Sequence, residues 1–275
     1  MSEGPCGSAL EGVRVVVTGA TSGLGHAMAV ALLEAGATVA LAARPTPQLD
    51  ETVAGLAGRG LAAVAVHMDV RHPASVTLGA REAVVALGGI DVVINNAGIG
   101  MRTVNPHFFA RPQPFFEVDP DRFADVIATN LTGYFLVSRA FCLYFLEHGH
   151  GRFVNVTINR ETMVREGFCP YGPSRAGSES LSEVMCADLR RYGIAVNILA
   201  PGGATDTGMI PDEIEAEVRG RLLRPEIMGP PAVFLASEEA AGLTGARIVA
   251  RDFDRWLAEF RSGAPDEDPA GAASR

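Results

Sequence analysis

A glycine-rich turn near the start of the chain joins a hydrophobic run to an apolar-periodic stretch. The valine-rich run at 13–17 predicts a buried strand, and the stretch at 23–36 predicts a helix. Glycines spaced as Gly-x3-Gly-x-Gly let the backbone turn tightly and approach a pyrophosphate, whose charge is met by N–H groups at the helix N-terminus. The sequence therefore predicts a dinucleotide site, with candidate contacts at Gly19, Thr21, Ser22, Gly23, Leu24 and Gly25.

The rest of the chain alternates between short β-rich runs and helix-compatible segments. This alternation predicts an α/β fold with a doubly wound parallel sheet and helices on both faces. We expect one domain over 11–262, a flexible N-terminus over 1–10 and a disordered tail over 263–275. The predicted strands are 13–18, 37–43, 61–67, 91–95, 152–157, 194–199 and 246–250, and the predicted helices are 23–36, 73–88, 120–147, 170–192 and 228–238.

The charge and the composition exclude several classes of partner. A net charge of -9 gives no electrostatic footprint for nucleic acid or an anionic membrane. We count no apolar stretch of about 18 residues and no signal-like N-terminus. The expectation is a cytoplasmic protein whose partner is a small-molecule substrate, with neither nucleic acid nor membrane bound.

The cysteines and histidines do not indicate a metal site. The four cysteines lie far apart without a Cys-x-x-Cys pair, so buried thiols are expected. His148 and His150 lie where a long helix should end, and they lack further ligands nearby. We therefore expect a polar helix terminus there and no bound metal.

The chain contains no lysine, since all 23 basic residues are arginines. A Walker A lysine, a Schiff-base lysine and a lysine general base are therefore all excluded. The absence also affects how one arginine of the predicted site is interpreted.

Residues that follow the predicted strands are candidates for the cofactor site, because ligands of such sheets bind beyond the strands' carboxyl ends. After the second strand stands Arg44, where an acidic residue would bind the ribose 2′-hydroxyl of NAD and a cation suits the 2′-phosphate of NADP. NADP(H) is therefore favoured over NAD(H), with a plain surface arginine as the alternative. Asp69, Val70, Asn96, Ala97 and Gly98 follow the third and fourth strands and suit contact with the adenosine and its ribose.

The order and spacing of these motifs resemble the short-chain dehydrogenase/reductase family over roughly residues 10–250. The resemblance implies a Rossmann-like domain that binds NAD(P), with a tyrosine that exchanges a proton during hydride transfer. The segments that carry the resemblance are 18–25, Asp69-Val70, 95–98, 130–133, Tyr171-x3-Arg175 and Pro201-Gly202.

The reactive pair departs from the family pattern. The family has a lysine four residues after the tyrosine, whereas this chain has Tyr171 and Arg175. Positions four apart share a helix face, so the cation favours the ionised phenol and can bond a ribose hydroxyl. Arginine does not readily pass a proton. Drift within a lysine-free chain and loss of catalysis both explain the change, and the total absence of lysine favours drift.

A second departure concerns the family's serine, expected 12 to 14 residues before the tyrosine. Ile158 lies thirteen residues before Tyr171 and offers no hydrogen bond. Asn159 and Thr157 are the candidate donors to a reacting carbonyl, and Asn159 is preferred because Thr157 closes the strand. The alternative is that neither contacts substrate. The resemblance gives Asn130 a role in holding a water that feeds protons toward Tyr171.

Three loops face the predicted substrate side. A long insertion at 101–116 carries four phenylalanines, which either wall an apolar pocket or bury against a second subunit. The segment 161–170 precedes Tyr171 and should also face substrate. The Pro201-Gly202 loop resembles the one that holds the nicotinamide, with Thr207 preferred over Thr205 because Asp206 takes the usual threonine position. A lid is expected at 210–224.

These features predict an NADP(H)-dependent oxidoreductase that interconverts a carbonyl and an alcohol on a partly hydrophobic small molecule. One rival is a non-redox enzyme on the same scaffold, performing elimination or isomerisation. The other is a catalytically silent dinucleotide-binding protein. Amphipathic segments at 120–147 and 170–192 indicate helices that pair between subunits, and the family resemblance implies a homodimer or homotetramer.

Overall fold

In the computed structural model, which describes residues 9–263, seven parallel strands form one sheet in the order β3-β2-β1-β4-β5-β6-β7. The topology reverses between β1 and β4, so their carboxyl ends open the crevice in which sheets of this type bind ligands. The strands are β1 Arg14–Thr18, β2 Thr38–Ala43, β3 Ala63–His67, β4 Val92–Asn95, β5 Gly151–Val156, β6 Ile194–Ala200 and β7 Arg247–Val249.

Helices cover both faces of the sheet because its strands are apolar on both sides. Every residue of β4 and β6 is buried, and so is every residue of β1 after Arg14. One face packs against α1, α9 and α10, and the other against α3, α5 and α7. The helices are α1 Gly23–Glu34, α2 Pro47–Gly58, α3 Pro73–Leu87, α4 Pro120–Ile127, α5 Gly133–His148, α6 Arg160–Met163, α7 Tyr171–Leu189, α8 Ala216–Arg219, α9 Gly229–Ala236 and α10 Phe253–Ser262.

The predicted fold class is confirmed, and each strand lies within two residues of its predicted position. Helix α2 was not predicted. It buries only Leu49 and Leu56, so its sequence lacks the repeated apolar positions that reveal an amphipathic helix. Its Pro47 stands at the first helical position, where a missing N–H costs no hydrogen bond.

The long helix predicted over 120–147 consists of three parts. Between α4 and α5, residues Ala128–Thr132 form a π-helical turn, a feature that often marks a functional site. The expectation that no stretch reaches membrane-spanning length was wrong by composition, because the helical stretch Pro120–His148 contains an 18-residue window with a mean hydropathy of 1.3. Yet Phe141 and Phe145 are fully buried against the sheet, so the stretch serves as a core helix.

The predicted termini fall mostly outside the described residues. Positions 1–8 of the predicted flexible N-terminus and 264–275 of the predicted tail are among those not described. Leu10, at the predicted boundary, is fully buried, and its N–H donates to the carbonyl of Ala35. The cysteines at 142, 169 and 186 are free thiols.

Candidate active site

The glycine turn after β1 has the backbone shape that a dinucleotide site requires. Gly19 and Gly23 have φ angles of 66° and 55°, in the left-handed region that favours glycine. A Cβ on Gly19 would lie 2.8 Å from the Cα of Ala97, and one on Gly25 would overlap the carbonyl of Gly19. The glycines therefore serve both the turn and the close approach of α1 to the sheet.

Polar groups at the carboxyl ends of β1 and β4 hold this turn in place. The side-chain amide of Asn96 donates to the carbonyls of Thr18 and Gly19 at 2.9 and 3.2 Å. The Oγ1 of Thr18 accepts from the N–H groups of Asn96 and Ala97 at 3.0 and 3.1 Å. Asn96 thus shapes the site through its side chain. Thr18 was missed as a site residue, and the hydroxyl at the end of the strand was its only signal.

The turn and the first turn of α1 fit a pyrophosphate. Ser22 is the N-cap residue of α1, and its side chain makes no capping bond within the described chain, so the first N–H groups remain available to a ligand. Thr21 and Leu24 are half-buried on either side of it. The residues present therefore fit a dinucleotide, with the glycine turn as its phosphate cradle.

The predicted adenosine contacts lie at the ends of β2 and β3. Arg44 is exposed and, within residues 9–263, has no hydrogen bond or ion pair. Asp69 pairs with Arg71 at 2.7 Å, and this hydrogen bond lowers the pKa of Asp69 to about 2. Val70 is buried and packs closely against Gly133, where an added Cβ would lie only 2.9 Å from the Val70 side chain.

The loop after β6 lies over the glycine turn. Pro201 and Gly202 are buried, and the Cγ2 of Thr207 is 3.2 Å from the position of a Cβ on Gly23. The hydroxyl of Thr205 instead donates to its own loop, at the carbonyl of Gly203. Of the two candidate threonines, Thr207 is therefore the one beside the phosphate cradle.

Tyr171 and Arg175 lie on one face at the start of α7. The Cζ of Arg175 is 5.4 Å from the centre of the Tyr171 ring, and the side chain is 3% exposed. Its Nη2 occupies the space that a Cβ on Gly98 would fill. Burial opposes the charge, but interactions with Tyr134 and Tyr171 hold the pKa of Arg175 above its ordinary value. A cation is thus fixed beside the phenol.

Tyr134 was missed by the sequence analysis. Its hydroxyl accepts a hydrogen bond from Nη1 of Arg175 at 2.8 Å and donates to the carbonyl of Val156 at 2.9 Å. In the sequence, Tyr134 is a tyrosine within an apolar helical stretch, a pattern typical of a core residue.

The two candidate carbonyl donors differ in their surroundings. The hydroxyl of Thr157 is buried and donates to Oε2 of Glu179 at 3.3 Å. Asn159 is half-buried at the N-terminus of α6, and its amide bonds to no residue in the described part of the chain. The end of α6 packs closely against the start of α7. A Cβ on Gly172 would overlap the carbonyl of Met163, so glycine permits this approach. Asn159 is therefore the donor with free hydrogen-bonding capacity.

Glu179, which the sequence analysis also missed, ties this region to the edge of the sheet. It is 6% exposed and pairs with Arg247 at 2.9 Å and Arg160 at 3.1 Å. The guanidinium of Arg247 also donates to the carbonyl of Ile158 at 2.8 Å. The segment at 157–159 is thereby held by ionic contacts from β7 and α7.

Asn130 lies in the π-helical turn and is fully buried. Its Oδ1 accepts from the N–H of Ile99 at 2.8 Å, and its amide donates to the Ile99 carbonyl and to Oγ of Ser174. The side chain thus joins the segment after β4 to α7, three residues beyond Tyr171.

The phenylalanines of the insertion at 101–116 divide into two pairs. Phe108 is buried, and its ring lies 5.8 Å from that of Phe168, edge to face. Phe109 packs on Phe108 at 5.3 Å. Phe115 and Phe116 are each 73% exposed. The first pair therefore contributes to a wall shared with the segment before Tyr171, and the second pair faces outward.

Arg102 links this insertion to the predicted lid at 210–224 and to the loop just before it. Its guanidinium pairs with Asp212 at 2.5 Å and donates to the carbonyls of Gly208 and Ile210. Met209 packs against Gly100 from the same side. A cavity of about 620 Å³ lies between the lid and the outer side of α1. The loop after β4 and the lid are thus held together over the crevice.

The fold and this site define the class of dinucleotide-binding α/β oxidoreductases. The family model for short chain dehydrogenase matches residues 13–217. The chain is 30% identical to gluconate 5-dehydrogenase of Gluconobacter oxydans, over 87% of this chain and 93% of that protein. It is 32% identical to 3-oxoacyl-[acyl-carrier-protein] reductase of Vibrio cholerae, over 87% and 96%.

Solved structures agree with the sequence comparison. A gluconate 5-dehydrogenase from Burkholderia cenocepacia, in complex with NADP and tartrate, superposes with a TM-score of 0.79 at 27% identity. The match covers 90% of this chain and 98% of that one. The chain belongs to the short-chain dehydrogenase family. Its function is accordingly that of an NAD(P)-dependent oxidoreductase acting between a carbonyl and an alcohol.

Proposed function

We propose that this protein is an NADP(H)-dependent reductase or dehydrogenase in which Arg175 replaces the family's lysine with catalysis retained. The observation that carries the proposal is the burial of the Arg175 guanidinium against the Tyr171 ring, with Cζ 5.4 Å from its centre. A cation beside the phenol favours the ionised form that proton exchange at Tyr171 requires. Burying a charge is costly unless neighbouring groups compensate for it.

The cofactor would lie across the glycine turn, with Pro201, Gly202 and Thr207 near its nicotinamide end. The exposed guanidinium of Arg44 supports a preference for NADP, since it is free to meet a 2′-phosphate. Solved relatives are complexed with either NADP or NADH, so the preference is argued from Arg44 alone. When bound, the nicotinamide supplies or accepts the hydride exchanged with the substrate carbon.

The proton chemistry falls to Tyr171. In reduction its hydroxyl donates a proton to the developing alkoxide, and in oxidation its phenolate accepts the alcohol proton. Arg175 remains charged throughout, because a guanidinium does not deprotonate in proteins. It therefore stabilises the phenolate and binds a ribose hydroxyl. The side chain of Asn130 is bonded to Ile99 and Ser174, so the predicted water relay does not run through that side chain, and the half-buried Tyr171 exchanges its proton with solvent.

The substrate would be a small, partly hydrophobic carbonyl or alcohol whose oxygen bonds the amide of Asn159. The packing of Phe108 against Phe168 supports an apolar wall on one side. The relatives described above are named for gluconate and 3-oxoacyl groups, so gluconate, its 5-keto oxidation product and 3-oxoacyl compounds belong in the first panel. We propose a soluble cytoplasmic homodimer or homotetramer.

The proposal is tested by following NADPH oxidation against ketones, aldehydes, quinones and 5-keto-gluconate. We expect Tyr171→Phe to lower kcat by about 100- to 10,000-fold, the usual contribution of a general acid. Arg175→Lys should retain turnover, because an ammonium supplies the same charge.

The matched control is Tyr144→Phe, which changes another half-buried tyrosine whose ring stacks on His148 away from the site. It should leave kcat unchanged. Tight NADPH binding with no turnover on any compound would instead favour a non-redox enzyme or a silent dinucleotide-binding protein.

A further inference from the structure

Tyr134 accepts a side-chain hydrogen bond from Arg175, whose guanidinium is buried. It begins the first turn of α5, directly after the π-helical turn, and its side chain is 2% exposed. The Cζ of Arg175 lies 5.5 Å from the centre of the Tyr134 ring and 5.4 Å from that of Tyr171. The guanidinium is therefore held between two phenols, and cation–π attraction to both rings offsets part of its burial cost.

One nitrogen of Arg175 is fully anchored. Nη1 donates to the Tyr134 hydroxyl at 2.8 Å and to the carbonyl of Val156 at 3.1 Å. The same carbonyl accepts the proton of the Tyr134 hydroxyl, so the three groups form a closed triangle. Because the guanidinium is planar and rigid, fixing Nη1 also fixes Nη2, which lies beside Gly98 in the segment after β4.

The partners that anchor Arg175 are uncharged. Burial raises the pKa of Tyr134 above its ordinary value, so the hydroxyl stays neutral. Glu179, one helical turn beyond Arg175, forms its ion pairs with Arg247 and Arg160 instead. A carboxylate on Arg175 would cancel the charge that a phenolate needs, whereas a neutral acceptor fixes the cation and leaves its charge available.

We propose that Tyr134 is a positioning residue. It holds Arg175 against Tyr171 without a carboxylate partner among the described residues, so the positive charge stays available to the Tyr171 phenolate. The inference rests on the proposed function, since it concerns the same reactive pair. It explains how a longer, planar cation occupies the lysine position. The Tyr134 hydroxyl accepts a hydrogen bond from the far end of the arginine side chain, which extends beyond the point that a lysine ammonium would reach.

The first experiment compares kcat and the KM for NADPH in wild type and Tyr134→Phe, which keeps the ring and removes the acceptor. We expect kcat to fall about 10- to 100-fold, because a hydrogen bond to a charged group is lost. The KM for NADPH should rise much less than kcat falls, by at most about threefold, because only the ribose contact of Arg175 is loosened and the phosphate cradle is unaffected. In the Arg175→Lys background, Tyr134→Phe should change kcat by less than about twofold.

The matched control is Tyr144→Phe, the same substitution on the same helix. The Tyr144 hydroxyl lies near Gly89, beyond the amino end of β4 and far from Arg175. Its kcat should equal that of the wild type. If Tyr134→Phe leaves kcat unchanged in an active wild type, or lowers it equally in the lysine background, the positioning role is wrong.

The second experiment does not depend on turnover. In protein labelled with ¹⁵N-arginine, the buried and bonded guanidinium of Arg175 should give Nη signals in slow exchange, identified by their absence in Arg175→Lys. We expect Tyr134→Phe to shift or broaden these signals and Tyr144→Phe to preserve them. Unchanged signals in Tyr134→Phe would overturn the proposal. A wild type without turnover would instead count against the proposed function, whatever the spectra show.

Discussion

A guanidinium at position 175 changes what its neighbours must provide. An ammonium is a compact charge that a few oxygens can surround, whereas a guanidinium presents five donors in a fixed plane. Here the plane is accommodated by the missing side chain at Gly98 and anchored by the hydroxyl of Tyr134. A guanidinium at this position therefore involves residues on three separate segments.

At the residue scale, the cofactor preference depends on Arg44. We expect Arg44→Ala to raise the KM for NADPH about tenfold, since a charge-assisted bond to a phosphate is lost at an exposed position. The KM for NADH should change less than about threefold. Arg81→Ala, at an exposed arginine on α3, is the control and should alter neither. Equal effects of Arg44→Ala on both cofactors would contradict a role in binding the 2′-phosphate.

Single residues were predictable where their chemistry follows directly from a strand end. The glycine turn was predicted because only glycine tolerates its φ angles and close contacts. Tyr134 and Glu179 were not, because their roles depend on which distant side chains the fold brings to them. A tyrosine in an apolar helix and a glutamate in a polar one carry no such information in sequence.

At the element scale, the alternation of strands and helices was enough to predict the sheet. The π-helical turn at Ala128–Thr132 was beyond sequence reasoning, because it interrupts the apolar pattern only slightly. That turn buries Asn130 against Ile99 and Ser174. The effect of the turn on the site therefore comes from contacts with distant segments of the chain, which the local sequence does not specify.

The contact between Arg102 and the lid should govern how often the lid opens. Arg102→Ala removes the ion pair to Asp212 and the bonds to two carbonyls. Because the pair is partly exposed, we expect a loss of about 1 kcal/mol, or about fivefold in the open population. Limited trypsin digestion should therefore cut faster after Arg219 or Arg221.

The control for the lid experiment is Arg111→Ala, at an exposed arginine of the same insertion that makes no side-chain bond to any residue within 9–263. Its cleavage rate should match that of the wild type. If Arg102→Ala and the wild type are cut at the same rate, the ion pair does not restrain the lid.

At the scale of the whole molecule, the acid limit of stability depends partly on Asp69. Its pKa in the folded protein is about 2, against 3.8 ordinarily, because it bonds the side chain and the N–H of Arg71. A lowered carboxyl pKa contributes stability that is present above about pH 4 and is lost as the pH falls toward 2. With a side chain only 16% exposed, the contribution at neutral pH is about 1–2 kcal/mol.

Urea unfolding of wild type and Asp69→Asn across pH should show this dependence. The free energies of unfolding should differ by about 1–2 kcal/mol at pH 7 and converge as the pH approaches 2. Glu217→Gln, which alters a pair with Arg221 whose side chains are each 76% exposed, should match the wild type at every pH. A difference at Asp69 that persists unchanged into acid would mean that shape, and not charge, gives this carboxyl its contribution to the stability of the fold.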